Sequence, residues 1–465
     1  MRFNYSKDAV KLDTISRMKT TSGCNCAYLL TIAGLGGLLY GVDFGVIAAA
    51  EPYLTSLGIY SGAQVSLIVG AVLIGGLLSS LTAGVLCDRL GRRTTIVLSA
   101  AMFLAAIPAV CLALRNFPLL MAGRILQGMS AGYMAVAMPM YLTETLPPEI
   151  RGRGTGVFQT LLGIGLVVAA GAGCLVASML GVSDSPGMTA TQLATAWRAN
   201  FWWTTAPVAA LFLGSFRLPE SPVWLERRIE NGKWKMENSI VRPSTSDLQP
   251  LLSRRYVVPF LLACAILNLN KTTGMSSFTS YLVSILHKAG FSGILANYGQ
   301  LIVKFTNVFM TIAAAALIDR KGRTYLLKLG TGGMALGLFA IGCVFLAIER
   351  FGIAANTVTG LIALVLFFFM YCFYALGPGI CVWLVLSELM PSRIRANGMA
   401  IALFLNQLVA CALASSFRPW VETWGWSSMF FFFAVNAVVY FAVACFIPET
   451  KGKSLEELER LFEKK

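Results

Sequence analysis

The chain has 465 residues and a net charge of +15, yet 57% of its residues are hydrophobic and only 13% are charged. A soluble globular protein of this size carries about 25% charged residues, so the composition argues against a soluble fold. Apolar stretches of about 20 residues, long enough to cross a bilayer, recur along the whole chain. The sequence therefore predicts an all-α membrane protein.

The chain begins with a polar segment, which is followed by twelve predicted spans. This segment does not fit a cleavable signal peptide, because it is polar and the span that follows is too long. The spans cover residues 27–50, 63–87, 94–114, 118–141, 154–180, 200–218, 256–286, 295–318, 324–348, 357–387, 397–418 and 426–447. The predicted organisation is an N-terminal segment (1–26), a six-helix bundle (27–225), a linker (226–255), a second six-helix bundle (256–447) and a tail (448–465).

The two halves repeat the same charged landmarks between their spans. The turn Asp88-Arg89-Leu90-Gly91-Arg92-Arg93 recurs as Asp319-Arg320-Lys321-Gly322-Arg323, and Pro219-Glu220-Ser221 recurs as Pro448-Glu449-Thr450. Glu144 precedes Arg151 by the same spacing at which Glu388 precedes Arg395. A membrane protein built from two similar halves is typical of secondary transporters.

The basic residues are distributed unevenly between the two sides of the predicted topology. Of the 37 Lys and Arg residues, 29 lie on the side of the termini and the linker, and only five lie on the opposite side. This asymmetry predicts that both termini and the linker are cytoplasmic. The positive charge is then explained by orientation and by attraction to anionic lipid, and we expect no nucleic-acid partner.

Five motifs, in order along the chain, resemble those of the sugar porter family of the major facilitator superfamily. They are Gly36-Gly37-Leu38-Leu39-Tyr40-Gly41-Val42-Asp43 in span 1, Gly123-Arg124-Ile125 with Pro139-Met140-Tyr141-Leu142-Thr143-Glu144 in span 4, Pro219-Glu220-Ser221-Pro222 after span 6, Gly377-Pro378-Gly379 with Trp383 in span 10, and Pro448-Glu449-Thr450 after span 12. The resemblance implies two pseudo-symmetric six-helix bundles, a substrate site between them and alternating access. We expect a monomer in the cell membrane, either a bacterial inner membrane or a plasma membrane.

Two opposite charges lie inside predicted spans, where ionisable groups are costly and are functional candidates. They are Asp43 in span 1 and Arg124 in span 4. If they face each other, Arg124 favours the charged carboxylate while burial disfavours it, so protonation becomes sensitive to conformation. The resemblance associates this pair with proton symport, and the alternative is a static ion pair. A second acid of some proton-coupled members is replaced by Thr204.

A sugar site requires amides that donate and accept hydrogen bonds, together with an aromatic platform. The resemblance implies substrate-binding roles at six positions. They are Gln159, Asn270, Lys271, Ser276, Trp383 and Asn406. Lys271 and Ser276 depart from the family's amides, so the usual hexoses are not assumed. If Lys271 faces the cavity it favours a sugar acid; the alternative is that it points to the outer interface, or pairs with neighbouring helices, and binds nothing.

The repeated loop charges form a predicted cytoplasmic gate. The resemblance implies salt-bridge networks that join the two bundles when the transporter faces outward, and the alternative is that the arginines only set orientation. The predicted gate residues are Asp88, Arg92, Glu144, Arg151, Glu220, Asp319, Arg323, Glu388, Arg395 and Glu449.

These features predict a secondary transporter that moves a monosaccharide, or a related polyol or sugar acid, with the proton as coupling ion. The alternatives are a facilitative sugar uniporter and a non-transporting nutrient sensor. We expect no enzymatic activity, metal or cofactor, because the sequence contains no nucleophile–base set, metal-ligand spacing or phosphate loop.

Overall fold

The computed structural model describes residues 26–146, 148–180, 188–226, 228, 254–389 and 395–449, and over these residues it contains helices and no strand. The first half comprises α1 (Cys26–Ser56), α2 (Gly62–Leu90), α3 (Arg92–Leu112), α4 (Phe117–Thr145), α5 (Pro148–Met179), α6 (Ala190–Trp202) and α7 (Thr205–Ser215). The second half comprises α8 (Arg254–Thr272), α9 (Met275–Lys288), α10 (Gly293–Lys321), α11 (Arg323–Arg350), α12 (Thr357–Leu376), α13 (Pro378–Leu389) and α14 (Arg395–Phe446).

Nine helical segments of this described part are long and apolar enough to cross a membrane. The all-helical class predicted from the sequence is confirmed, whereas the total of twelve spans stays a prediction. The N-terminal segment, nearly all of the linker and most of the tail lie outside the described residues.

Several predicted spans differ in detail from the helices. Span 6 begins earlier than predicted, at Ala190, and is interrupted after Trp202. Spans 7 and 10 are each divided into two helices, at Gly274 and at Gly377, while spans 11 and 12 form the single kinked helix α14. The kink lies at Gly425, whose φ of 83° favours glycine.

The helices pack into two bundles. In the first bundle α1 packs along α5, and α2 and α3 pack against α4. In the second bundle α11 packs against α12 and α14, and α8 also packs against α14. The bundles meet where α2 contacts α14, α5 contacts α10, and α1 contacts α9.

The α1–α5 contact requires a glycine next to the candidate acid. A Cβ atom at Gly41 would overlap the carbonyl oxygen of Leu162 on α5, so any larger residue would force the helices apart. Asp43 lies two residues further along α1, and this close approach fixes its depth within the first bundle.

Candidate functional site

The candidate coupling pair is formed by side chains from two helices of the first bundle. Asp43 on α1 and Arg124 on α4 are 2% and 1% exposed, respectively. The Nη1 atom of Arg124 lies 3.8 Å from Oδ1 of Asp43. The structure thus brings together two charges that are 81 residues apart in the sequence.

Arg124 is fixed more firmly than the acid it faces. Its Nη1 donates a hydrogen bond to Oε1 of Gln127 at 2.7 Å, and its guanidinium carbon lies 5.5 Å from the centre of the Phe201 ring. Neither carboxylate oxygen of Asp43 accepts a hydrogen bond from the described residues. Protonating Asp43 would therefore disturb one ion pair and no hydrogen-bond network.

Thr204 occupies the break between α6 and α7, three residues after Phe201, whose ring faces Arg124. Its hydroxyl donates to the carbonyl oxygen of Phe201 at 2.6 Å, and the residue is 1% exposed. Thr204 therefore closes the turn that carries the Phe201 ring, and it contributes no second acid to the site.

The break between α8 and α9 gathers three of the predicted substrate residues. Gly274, with a φ of 81°, separates the two helices. Before the break, Asn270 is 6% exposed and its Oδ1 accepts no hydrogen bond from the described residues. Lys271 donates from Nζ to Oγ of Ser276 across the break, at 3.4 Å. No ion pair with a described carboxylate involves Lys271.

Asn406 makes a contact that the sequence did not indicate. It is 2% exposed, and its Nδ2 donates to the carbonyl oxygen of Leu267 on α8 at 2.7 Å. This bond links α14 to α8 about two turns before the break, so the Asn406 Nδ2 group already has a partner within the protein. The side chains of Gln159 and Trp383 lie outside the described residues.

At the predicted cytoplasmic end of the first bundle, Arg92 is the centre of a charge cluster. Its Nε lies 3.0 Å from Glu144 and its Nη1 lies 3.2 Å from Asp88. Glu144 also accepts a hydrogen bond from the hydroxyl of Ser221. These contacts join α3, α4, the end of α2 and the segment after α7, all within one bundle.

The repeated glutamates perform the same local task in each half. Glu220 accepts a hydrogen bond from the backbone amide of Arg93 at 3.0 Å, and Glu449 accepts bonds from the amides of Arg323 at 3.0 Å and Thr324 at 3.1 Å. Each carboxylate thus caps the N-terminus of a helix that begins after a glycine turn. The side chains of four predicted gate residues lie outside the described part of the chain; they are Arg151, Asp319, Glu388 and Arg395.

The opposite end contains a charge pair that sequence reasoning missed. Glu51 on α1 forms an ion pair with Arg418 on α14, and Ser284 on α9 donates to the same carboxylate. Thr55 donates to Glu51 at 2.7 Å and accepts from Arg418 at 2.9 Å. This pair connects the two bundles. The sequence features that could have predicted this pair are an acid at the outer end of span 1 and an arginine at the end of span 11.

Two further bonds extend this contact between the bundles. The hydroxyl of Ser66 on α2 accepts from the backbone amide of Arg418 at 3.0 Å and from the Tyr281 hydroxyl at 3.3 Å. We call these contacts the outer seam; its residues are Glu51, Thr55, Ser66, Tyr281, Ser284 and Arg418. A cavity of about 220 Å³ lies beside it, and its lining includes Tyr53, Ser284, Asn297 and Trp426.

Apolar helices long enough to cross a bilayer, packed as two bundles, define a multi-pass membrane protein, and comparison with known proteins gives its family. The model for the sugar (and other) transporter family matches residues 29–462. The chain belongs to this family.

Individual relatives and solved structures agree with that assignment. The chain is 30% identical to the arabinose-proton symporter of Bacillus subtilis (strain 168), across 92% of this chain and 93% of that protein. It is 29% identical to D-xylose-proton symporter-like 2 of Arabidopsis thaliana, across 91% and 88%. Its fold is similar to that of the xylose transporter XylE from E. coli in an inward-open structure, with a TM-score of 0.75 and 24% identity over 93% of this chain and 98% of that one. The predicted major facilitator fold is confirmed, and the protein is a multi-pass membrane protein.

Proposed function

We propose that this member of the sugar transporter family is a proton symporter that moves a monosaccharide, or a related polyol or sugar acid, by alternating access. The single observation that carries the proposal is the buried pair of Asp43 and Arg124, 3.8 Å apart. An acid held by one ion pair exchanges a proton more readily than one that several hydrogen bonds also hold in its charged form.

Coupling follows if the two access states differ in how they solvate Asp43. Each state then favours a different protonation state of the carboxyl, and a proton gradient shifts the conformational equilibrium. The α1–α5 contact at Gly41 keeps Asp43 within the first bundle, so the distance to Arg124 and access to water are the quantities that change. Relatives that carry the words proton symporter in their names, for arabinose and galactose, support this proposal.

The proposal is tested by uptake of labelled D-xylose, arabinose, galactose, D-glucitol and D-gluconate into proteoliposomes with an inward proton gradient. We expect the gradient to drive accumulation of at least one of these compounds and a protonophore to abolish that accumulation. Asp43→Asn should lose accumulation but keep exchange of sugar between the two sides, because it removes only the titrating group. Glu226→Gln is the matched control, since Glu226 is exposed.

The outcomes separate the candidate functions. If the internal substrate concentration reaches the external one but never exceeds it, in both the wild type and Asp43→Asn, the protein is a facilitative uniporter. Thr204 in place of a second acid is compatible with that outcome. Failure to move any sugar, polyol or sugar acid leaves the nutrient sensor and overturns the proposal.

A further inference from the structure

Among the described residues, one face of α10 carries several buried polar side chains whose atoms lack hydrogen bonds. Asn297, Gln300 and Lys304 are 4%, 0% and 2% exposed, and they recur at the three- and four-residue spacing of one helix face. Both amide atoms of Gln300 and the Oδ1 of Asn297 have no hydrogen-bond partner among the described residues. Buried polar groups are normally hydrogen-bonded, so these unpaired amide atoms require an explanation.

This face of α10 points toward the first bundle. The Oδ1 of Asn297 lies 3.4 Å from the position that a Cβ atom on Gly173 of α5 would occupy. One turn beyond Lys304, Val308 lies 3.0 Å from the corresponding position at Gly163 of α5. Lys304 lies between these two contacts on the same face, and therefore at the boundary between the two bundles.

Lys304 carries a charge that the described residues do not neutralise. Its ammonium lies 5.4 Å from the centre of the Tyr371 ring, and none of the ion pairs of the described residues involves it. A cation–π contact is worth about 0.5–2 kcal/mol. The effective penalty for burying an unpaired charge is several kcal/mol, so Tyr371 does not offset it alone.

Lys271 contacts the beginning of α9, which also contacts Tyr371. Its ammonium contacts Ser276 at 3.4 Å, and one helical turn later the hydroxyl of Thr279 contacts that of Tyr371 at 3.3 Å. Tyr371 carries the ring beneath Lys304. Two lysines without a described carboxylate partner thus border one short stretch of helix at the break between α8 and α9.

We propose that Lys304 binds the carboxylate of the transported substrate, that Gln300 hydrogen-bonds its hydroxyls, and that the substrate is therefore an aldonic or uronic sugar acid. Lys271 is the second cation of the same site. This inference rests on the proposed transport function and narrows it to one substrate class. A bound carboxylate supplies the missing counterion in a setting where charge-assisted hydrogen bonds are strong.

The test compares ligands that differ only in the carboxylate. Binding of D-gluconate against D-glucitol, and of D-glucuronate against D-glucose, is measured by calorimetry on the purified full chain. We expect each acid to bind about tenfold or more tightly than its neutral partner, because a charge-assisted pair replaces a neutral contact. Acetate at the same concentrations is the control for binding of any small anion.

Three substitutions assign the effect to the lysines. Lys304→Gln should reduce the preference for the acids to less than about twofold, whereas Lys304→Arg should keep much of it because the charge remains. Lys271→Gln should reduce the preference by a smaller factor. Lys288→Gln is the matched control, because Lys288 is exposed at the end of α9. Thermal unfolding of each variant verifies that it is folded.

The inference is overturned if the wild type binds the acids no more tightly than their neutral partners, if acetate binds as tightly as gluconate, or if folded Lys304→Gln keeps the preference. If Lys304→Gln does not fold, the inference is tested by comparing the binding of each acid and its neutral partner to the wild-type protein. Accumulation of neutral sugars without preference for acids refutes the inference but leaves proton symport intact, whereas no transport of either class refutes both.

Discussion

The two ends of the molecule use their charges differently. At the outer seam, Glu51 and Arg418 join helices of different bundles. At the opposite end, the described contacts of Arg92 with Glu144 and Asp88 lie within the first bundle. A contact between bundles must break when they rotate apart, and a contact within a bundle need not. The outer pair therefore biases the conformational equilibrium, whereas the inner contacts mainly stabilise each bundle.

Burial distinguishes the Arg92–Asp88 contact from the outer pair. The side chain of Glu51 is fully buried and that of Arg418 is 15% exposed, whereas the side chain of Asp88 is 67% exposed. Exposed pairs contribute about 0–1 kcal/mol, while removing one partner of a buried pair costs about 3–5 kcal/mol. The Arg92–Glu144 pair, with side chains 1% and 14% exposed, is as buried as the outer pair, so the two ends differ in which helices their buried pairs join.

The largest expected effect comes from making the outer seam permanent. A Cβ atom at Gly70 on α2 would overlap the hydroxyl of Ser415 on α14 and lie 3.5 Å from the Cα atom of Ser415, so cysteines at these two positions are close enough for a disulfide. In a chain freed of its native cysteines, the double variant Gly70→Cys/Ser415→Cys should lose nearly all sugar uptake when oxidised and regain it in dithiothreitol. Each single variant is the control, and undiminished uptake by the cross-linked protein would show that the seam does not open during transport.

A smaller effect follows from breaking the seam. Arg418→Met leaves the buried Glu51 without its cation, and the closed seam should lose about 3 kcal/mol, or roughly a hundredfold in the equilibrium. A single cysteine replacing Val283, which is 2% exposed, should then react faster with a membrane-impermeant thiol reagent. Its labelling rate in proteoliposomes is the measurement.

Two further variants make this result specific. Glu51→Gln combined with Arg418→Met removes both charges and should label more slowly than Arg418→Met alone, because no unpaired carboxylate remains buried. Arg350→Met, which removes an exposed arginine at the end of α11, should label like the parent protein. Equal labelling rates in all variants would contradict the assignment of the outer seam as a conformational lock.

The sequence predicted the helical class and the two halves because both depend on hydropathy and on motif spacing. It did not predict the interruptions at Gly274 and Gly377. Glycines recur throughout these spans, and most of them serve close packing, so nothing local distinguishes the two that break a helix. The positive φ of Gly274 is a property of the backbone that a hydropathy pattern does not contain.

The sequence predicted residues of the candidate site only where they belong to a recognisable motif. Asp43 and Arg124 were named, and the structure places them together, while their coupling role stays a prediction. Glu51 and Arg418 are 367 residues apart, and each looked like the polar end of a span. The burial of Asn297 and Gln300 could have been predicted from the sequence. Both recur at helical spacing with Lys304 in an apolar span, and such a polar face is expected to point away from lipid.

The smallest effect is expected at the inner helix caps, and it tests the other half of the comparison. Glu220→Ala and Glu449→Ala each remove a carboxylate from a helix N-terminus, which should cost about 1 kcal/mol of unfolding free energy in each bundle. The loss should be somewhat larger for Glu449→Ala, because Glu449 accepts bonds from two helix amides and Glu220 from one, and thermal unfolding of purified protein measures both losses. Labelling at Val283→Cys should stay unchanged. Slower labelling in either variant would mean that the glutamate holds the outward-facing state, as the predicted cytoplasmic gate requires, and would refute a purely local role.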